Sequence, residues 1–505
     1  MRPPEKGYIY RLKTYIGILA LLSATLVSIL PAIAQEFEEF EEPDPLIPVP
    51  ITGPGNVRLL GLESLRIALM GDGGVPLPPE LSEYVRDKKA AIQLGKALFW
   101  DMQVGSDGMQ SCATCHFHAG ADSRAKNQLN PGLLRIRNQR NGDVQGFAAA
   151  ANLPDSSFET GGPNYSLTPG DFPFIKSPNK WIENPDGTVG PWPGNSHDVV
   201  ANAGVFFSLF SGITPGQNVD SGRAVFDPVW NVAGTTARRV EPRNAPTVIN
   251  AVFNFTNFWD GRANHHFNGV TPFGNQDLEA RIFVSSGATQ KLVQQKLELH
   301  NASLASQAVG PPLSFFEMAF GNGAENFRIF PELGRKLLSV TPLAKQNVSP
   351  TDSVLGELCN PSGPGLDPQK FRNSSTGALV NGYRHLIEKA FKPKYWNSPQ
   401  LVVLPAPSQT EAPGNQSIIQ DGPTLLAAPG ATGNISFSHM EANMAFFFGV
   451  SIMLYESTLV SDRTPYDQWM EGNGRFVPGF GKPELRGLDV FVNKGKCINC
   501  HGGPE

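Results

Sequence analysis

Three features of the sequence predict a mainly α-helical chain of two small cofactor-carrying domains with long loop-rich insertions. The first is the pentapeptide C-x-x-C-H, present as Cys112-Ala113-Thr114-Cys115-His116 and again as Cys497-Ile498-Asn499-Cys500-His501. This is the attachment site of a c-type haem: the cysteines form thioethers to the porphyrin and the histidine is placed to coordinate iron. A redox dithiol or half a zinc site is the alternative for a single copy, but no H-x₃₋₅-H follows either copy to complete a zinc finger. The second feature is a helical pattern running into each motif. The third is the content of 52 glycines and 44 prolines, which commits a large share of the chain to loops. Together they predict two cytochrome c-like haem domains, the second truncated, with two covalently bound haems c. The ligands expected are Cys112, Cys115 and His116 for one, and Cys497, Cys500 and His501 for the other.

Taken in order, Arg2, Lys6, Arg11 and Lys13 precede an apolar stretch from about Tyr15 to Leu30, and Ala32-Ile33-Ala34 is a small-x-small cleavage site. This is the pattern of a secretory signal peptide over residues 1–34, with an uncleaved anchor as the alternative. Export to the periplasm suits haem attachment, which takes place outside the cytoplasmic membrane. The formal charge is −5; without residues 1–34, which hold four basic residues and one acidic, it is −8. A mildly acidic chain of this kind is no nucleic-acid binder. Four of the five cysteines belong to the two motifs, so Cys359 stands alone and no disulfide framework is implied.

Residues 35–80 begin as an acidic, Pro-rich leader. Ser82 to Trp100 reads as a helix, with Val85, Ile92, Leu94 and Leu98 mainly on one side, and leads into the first motif. The first haem domain is expected over 81–330, with insertions near 124–242 and 264–303. The longer insertion is too extended for a plain connector and is expected to form a surface subdomain or lid. Helices are predicted at Leu333–Leu338 and Gly377–Phe391 within a connector over 331–435, whose stretch from Leu401 to Gly433 reads as a Pro/Gly/Ala-rich linker.

The second haem domain is expected over 436–505. It opens on the capping box Ser438-His439-Met440-Glu441 and a helix to about Leu459. The apolar centre of that helix, Met444 to Tyr455, is too short to span a bilayer and reads as buried. Pro483 opens a short helix through Val492 into the second motif. Four residues after His501 cannot enclose a haem, so this domain is expected to continue beyond Glu505. No strand pattern stands out anywhere.

The surroundings of the motifs say more. Leu94-Gly95-Lys96-Ala97-Leu98-Phe99-Trp100-Asp101 before Ser111-Cys112 resembles the approach to the first haem of bacterial dihaem cytochrome c peroxidases. Arg243-Asn244-Ala245-Pro246-Thr247, then Phe258-Trp259-Asp260-Gly261-Arg262-Ala263, resembles the central signature of the same family. Ser457-Thr458-Leu459, Pro465-Tyr466-Asp467, Gly472 and Arg486-Gly487 resemble the approach to its second haem. The chain is identified on these blocks as a member of the cytochrome c peroxidase/MauG superfamily.

That resemblance implies roles for particular residues. Gln307-Ala308-Val309-Gly310-Pro311 and Glu317-Met318 keep the family's internal spacing but arrive late, after the insertion from about Asn264 to Ser303. Gln307 and Glu317 are thereby assigned to the distal pocket of the first haem. A buried carboxyl there can carry a proton between the two peroxide oxygens; a solvated loop acid is the alternative. Trp259 resembles the tryptophan between the two haems, an electron relay, with a packing role as the alternative. Asn244 resembles the side-chain ligand of an interdomain calcium.

The function implied is a periplasmic dihaem peroxidase reducing hydrogen peroxide with electrons from a small c-type cytochrome or cupredoxin, as a monomer or homodimer. A MauG-type oxidase modifying a partner protein and a dihaem electron carrier are the competing readings. None of His118, His197, His265, His266, His300, His385 and His439 is assigned as a ligand. His197, His265 or His266 would have to fold back if the first iron is capped.

Overall fold

The computed structural model describes residues 64–131, 158, 161–172, 198–321, 327–405 and 434–499, apart from 123, 127, 374, 473 and 476. The segment read as a signal peptide, residues 35–63 of the expected leader, His197, Cys500 and His501 lie outside the described residues. The chain divides into two compact units, Leu69–Asp462 and a smaller one comprising Met1–Ala68 with Arg463–Pro504.

The core of the larger unit is a helix packing. Helix α1 spans Leu65–Asp72. Helix α2 (Lys88–Trp100) starts where the Asp87 carboxylate accepts a hydrogen bond from Ala90 N at 3.0 Å. Its Ala90, Ala91, Leu94, Ala97 and Leu98 recur at helical spacing and are fully buried. The expected helix from Ser82 is interrupted instead at Val85–Asp87, after a single turn at Leu81–Tyr84.

Along the chain follow α3 (Cys112–Cys115), α4 (Ser303–Ala308), α5 (Phe330–Leu337), α6 (Gly382–Ala390), α7 (His439–Ala442) and α8 (Met444–Glu456). Every residue of α8 is buried, as its all-round apolar sequence requires. It packs on α2, α4 and α5, while α6 closes the other side of α2. Gly95 of α2 lies against the Ser451 carbonyl of α8, where a Cβ would collide with the backbone. Phe391, Phe446 and Phe447 complete the layer in mutual ring contact. Each such fully buried ring contributes about 1.5–3 kcal/mol.

The Ser438 capping box forms, but the helix it opens breaks at Asn443. The Asn443 amide there donates to the Phe283 carbonyl at 2.7 Å and the Tyr395 carbonyl at 2.8 Å.

The mainly α expectation needs correcting. Among the described residues about 35% are helical and 16% lie in strands. The strands form two-stranded antiparallel pairs. Four pairs fall in the first insertion: β1 (Leu129–Asn130) with β2 (Val199–Val200), β3 (Ala203–Phe206) with β8 (Arg238–Val240), β4 (Ser208–Gly212) with β5 (Ser221–Ala224), and β6 (Asn231–Val232) with β7 (Thr235–Thr236). The second insertion holds the hairpin β9 (Ile282–Ser286) and β10 (Lys291–Gln295). The stretch read as a linker begins with β11 (Leu401–Pro405), which pairs with β12 (Asn434–Ser438).

Strands of two to five residues are too short for a period-two pattern to emerge above their loops. Two cytochrome c-like haem domains are likewise not what the described chain forms. The first motif shares one core with the helices of the expected connector and with α8, from Tyr84 to Tyr455.

In the smaller unit, α9 (Pro465–Glu471) is capped by Thr464, with Asp467 answering the Thr464 N–H. Asp467 also accepts from Leu65 N at 2.9 Å, and Glu471 pairs with Arg66. The rings of Tyr466, Trp469 and Phe480 gather beside it. Helix α10 (Lys482–Asp489) carries Pro483 in its first turn and runs through one π turn, Val490–Lys494, to Cys497.

Candidate functional site

One turn of helix, α3, sets the first motif. At its start Ser111 N donates to Thr114 Oγ1 at 3.0 Å, and the Ser111 and Thr114 hydroxyls lie 3.1 Å apart. Cys112 and Cys115, three apart, then share a face, with His116 directly after. The His116 ring donates from Nδ1 to the Pro246 carbonyl at 2.7 Å. A carbonyl can only accept, so this bond fixes the tautomer and leaves Nε2 as a free lone pair. Burial holds the ring's pKa below its ordinary value against that bond, keeping the imidazole neutral. Burial also pushes the Cys112 and Cys115 thiols up.

The Arg243–Thr247 block is strapped to this motif. Asn202 donates to the Cys115 carbonyl at 2.9 Å and accepts from Ala245 N at 2.7 Å. Val248 N donates to the Ala119 carbonyl at 3.1 Å. Asn202 carries no sequence signal, because its partners are all distant in the chain.

A cavity of about 580 Å³ opens beside the motif. Cys112, Cys115, His116, Asn244, Trp259, Gln307 and Glu317 all line it. The first motif and the residues assigned through the family resemblance therefore meet in one place. Phe99, Val248, Leu304 and Ile452 supply apolar wall. Trp259 is 65% exposed, and the Arg243 guanidinium stacks 3.9 Å from its ring centre. Asn244 is exposed at the same wall. Of the second motif, Cys497 is exposed and Ile498 buried.

Glu317 sits in a tight turn, where Met318 N and Ala319 N both donate to the Ser314 carbonyl. Strand β3 passes so close that a Cβ on Gly204 would strike the carbonyls of Phe316 and Glu317. Ser106, just before the motif, donates its N–H to the Met318 carbonyl at 2.7 Å and accepts from Phe320 N at 2.9 Å.

Asp220 anchors that loop. It takes Ser106 Oγ at 2.6 Å, Arg328 Nη1 at 2.9 Å and Lys336 Nζ at 2.7 Å, with all three charged side chains 0% exposed. Burial lowers the Lys336 pKa to about 8 against the pull of Asp220.

Sequence reasoning missed two cavity acids. Glu241 lies within hydrogen-bonding reach of Glu317. Burial raises both carboxyls, and Glu317 raises Glu241 further by charge and by that bond; Glu241 and Arg262 partly offset the rise at Glu317. Two shielded carboxyls this close disfavour each other's ionisation, which suits them to proton handling. Glu456, the last residue of α8, is buried with Oε2 unpartnered, and its pKa is pushed up to about 8. Glu317 Oε2 is also unpartnered. Two thiols, an imidazole with a free Nε2, apolar walls and unsatisfied carboxyl oxygens in one cavity fit a thioether-linked haem.

His116 is the one histidine among the described lining residues. His118 is exposed with φ 57°, and His265 and His266 lie outside the lining.

Comparison with known proteins agrees with the first motif and with the central block. The family model described as di-haem cytochrome c peroxidase matches residues 89–154 and 214–337, the superfamily that the sequence resembles. Its members include both peroxidases and MauG-type di-haem proteins; they are haem oxidoreductases and typically periplasmic. No curated protein and no solved structure matches the chain. No helix among the described residues is long and apolar enough to cross a membrane.

Proposed function

With two segments of the chain matching the di-haem cytochrome c peroxidase family as the premise, we propose that this protein is a periplasmic di-haem peroxidase. It reduces hydrogen peroxide with electrons from a small c-type cytochrome or cupredoxin. One haem c is held by Cys112, Cys115 and His116, the other by Cys497, Cys500 and His501. The observation that carries the reading is the half-buried Glu317–Glu241 carboxyl pair in the cavity that the first motif lines.

When bound, the haem supplies the iron at which peroxide is reduced. The protein supplies the rest. His116 offers a neutral Nε2 because Pro246 occupies its Nδ1–H. Glu317 takes a proton from one peroxide oxygen and returns it to the other, and Glu241 keeps that proton within the dry pair. Gln307, on α4, presents an amide to orient the substrate. Phe99, Leu304 and Ile452 exclude water, which strengthens each polar contact. Asn244 is assigned to calcium through its hard amide oxygen.

A MauG-type reading is favoured by one observation, the exposure of Trp259, which would let a partner protein exchange electrons at the surface. The two are separated by assaying the purified full-length protein with a reduced small cytochrome c and hydrogen peroxide. Rapid peroxide-dependent oxidation of the cytochrome, with two haems per chain by pyridine haemochrome, supports the peroxidase. Two haems with no such oxidation would overturn it in favour of the oxidase or a carrier.

A further inference from the structure

A second cluster of chemistry lies outside the haem cavity. Phe267 and Leu299 form an isolated antiparallel bridge, exchanging both backbone hydrogen bonds at 2.9 and 3.0 Å. Both side chains are 0% exposed and face the core. Side chains alternate along extended chain, so the flanking His266, Glu298 and His300 all fall on the opposite face. His266 and His300 occupy a directly opposed pair, with ring centres 4.5 Å apart. Glu298 reaches across diagonally, its Oε1 3.1 Å from His266 Nδ1.

One donor atom from each of the three residues lies within 4.8 Å of the others. His266 Nδ1 is buried and makes no hydrogen bond of good geometry, even to the nearby Glu298. Glu80 Oε1 lies 2.7 Å from His300 Nδ1. A carboxylate accepts, so this contact puts the His300 proton on Nδ1 and frees Nε2, as a carboxylate behind a ligating histidine does in metal sites.

We infer that His266, Glu298 and His300 form a binding site for a divalent transition-metal ion of the Zn²⁺ class, with Glu80 orienting His300. Two imidazoles and one carboxylate suit Zn²⁺, Cu²⁺ or Ni²⁺, and are poorly matched to the all-oxygen preference of Ca²⁺ or Mg²⁺. Metal–ligand bonds of about 2.0–2.2 Å place tetrahedral donors about 3.4 Å apart. The His266–Glu298 contact, at 3.1 Å, is already close to that spacing, and the other donor pairs lie within 4.8 Å. The exposed side, where Glu298 is 57% exposed, leaves a fourth position to water. The metal ties the chain after β10 to the segment that follows the Trp259 block.

The test is equilibrium dialysis of chelator-stripped, full-length, haem-loaded protein against Zn²⁺, with bound metal counted by mass spectrometry. Wild type should bind one Zn²⁺ more than His300→Gln or Glu298→Gln, and excess Ca²⁺ should not displace it. Glu80→Gln should weaken binding about 10–100-fold while leaving stoichiometry intact at saturation. Circular dichroism confirms that each variant folds; Glu298, being half exposed, is the safest of them. No Zn²⁺ uptake by wild type would overturn the site. So would uptake kept at equal affinity in all three variants, which would mark adventitious metal only. Either failure leaves the haem reading untouched, since the cysteine motifs are common to all four proteins.

Discussion

The carboxyl groups of Glu241 and Glu317 come together in the wall of the cavity that Cys112, Cys115 and His116 line. Burial raises Glu241 well above the ordinary carboxylate range, and the neighbouring Glu317 raises it further. The pair therefore holds its proton to higher pH than an ordinary carboxyl does. Peroxide turnover should fall as the pair becomes fully ionised, at a pH above the ordinary carboxylate range. Glu241→Gln leaves Glu317 as the only titrating acid of the pair, so the alkaline limb should move to lower pH. Superimposable pH–rate profiles for wild type and variant would remove Glu241 from the relay.

Asp220 pairs with both the buried Arg328 and the buried Lys336. Asp220→Asn strands two desolvated cations and releases Ser106, which tethers the Glu317 turn to the loop before Cys112. Chemical denaturation should show a loss of about 3–5 kcal/mol, the usual cost of breaking a buried ion pair. A loss below about 1 kcal/mol would mean that the network is dispensable.

Trp259→Phe should slow electron exchange between the haems while peroxide binding stays near normal, since phenylalanine preserves the apolar ring but is much harder to oxidise. The Arg243 guanidinium over the indole face already disfavours removing an electron from it. Stopped-flow spectra after one peroxide pulse would report the exchange. An unchanged rate would leave Trp259 a packing partner of Arg243.

His116 alone among the described histidines lines the cavity, so the first iron should be open as isolated. Electron paramagnetic resonance of the oxidised protein should show a high-spin ferric signal. Two low-spin signals without it would show a capping ligand, and single substitutions of His197, His265 and His266 would identify it.

These features differ in how plainly the sequence carries them. Helix α8 was legible because its thirteen consecutive buried residues are apolar apart from Ser451 and the terminal Glu456, and the Ser438 cap because its partners are three residues apart. The motif and the Gln307–Glu317 spacing were legible as local patterns. The break at Asn443 was not, because its amide answers carbonyls of Phe283 and Tyr395 that only tertiary folding brings near. The short strands of the insertions carry too few residues to alternate. Glu241 follows two arginines in a loop and reads as a solvated acid until β3 and β8 pair. His266 and His300 likewise become neighbours only through the bridge between Phe267 and Leu299.

The most direct test of the account is peroxide turnover by Glu317→Gln, measured on protein whose haem content equals that of wild type. Glutamine keeps the shape and a hydrogen bond to Glu241 but cannot carry the proton. Turnover should fall by roughly 10²–10⁴, the range for loss of a positioned acid–base group. Turnover equal to wild type at equal haem content would contradict a proton relay at Glu317 and, with it, the peroxidase assignment of this cavity.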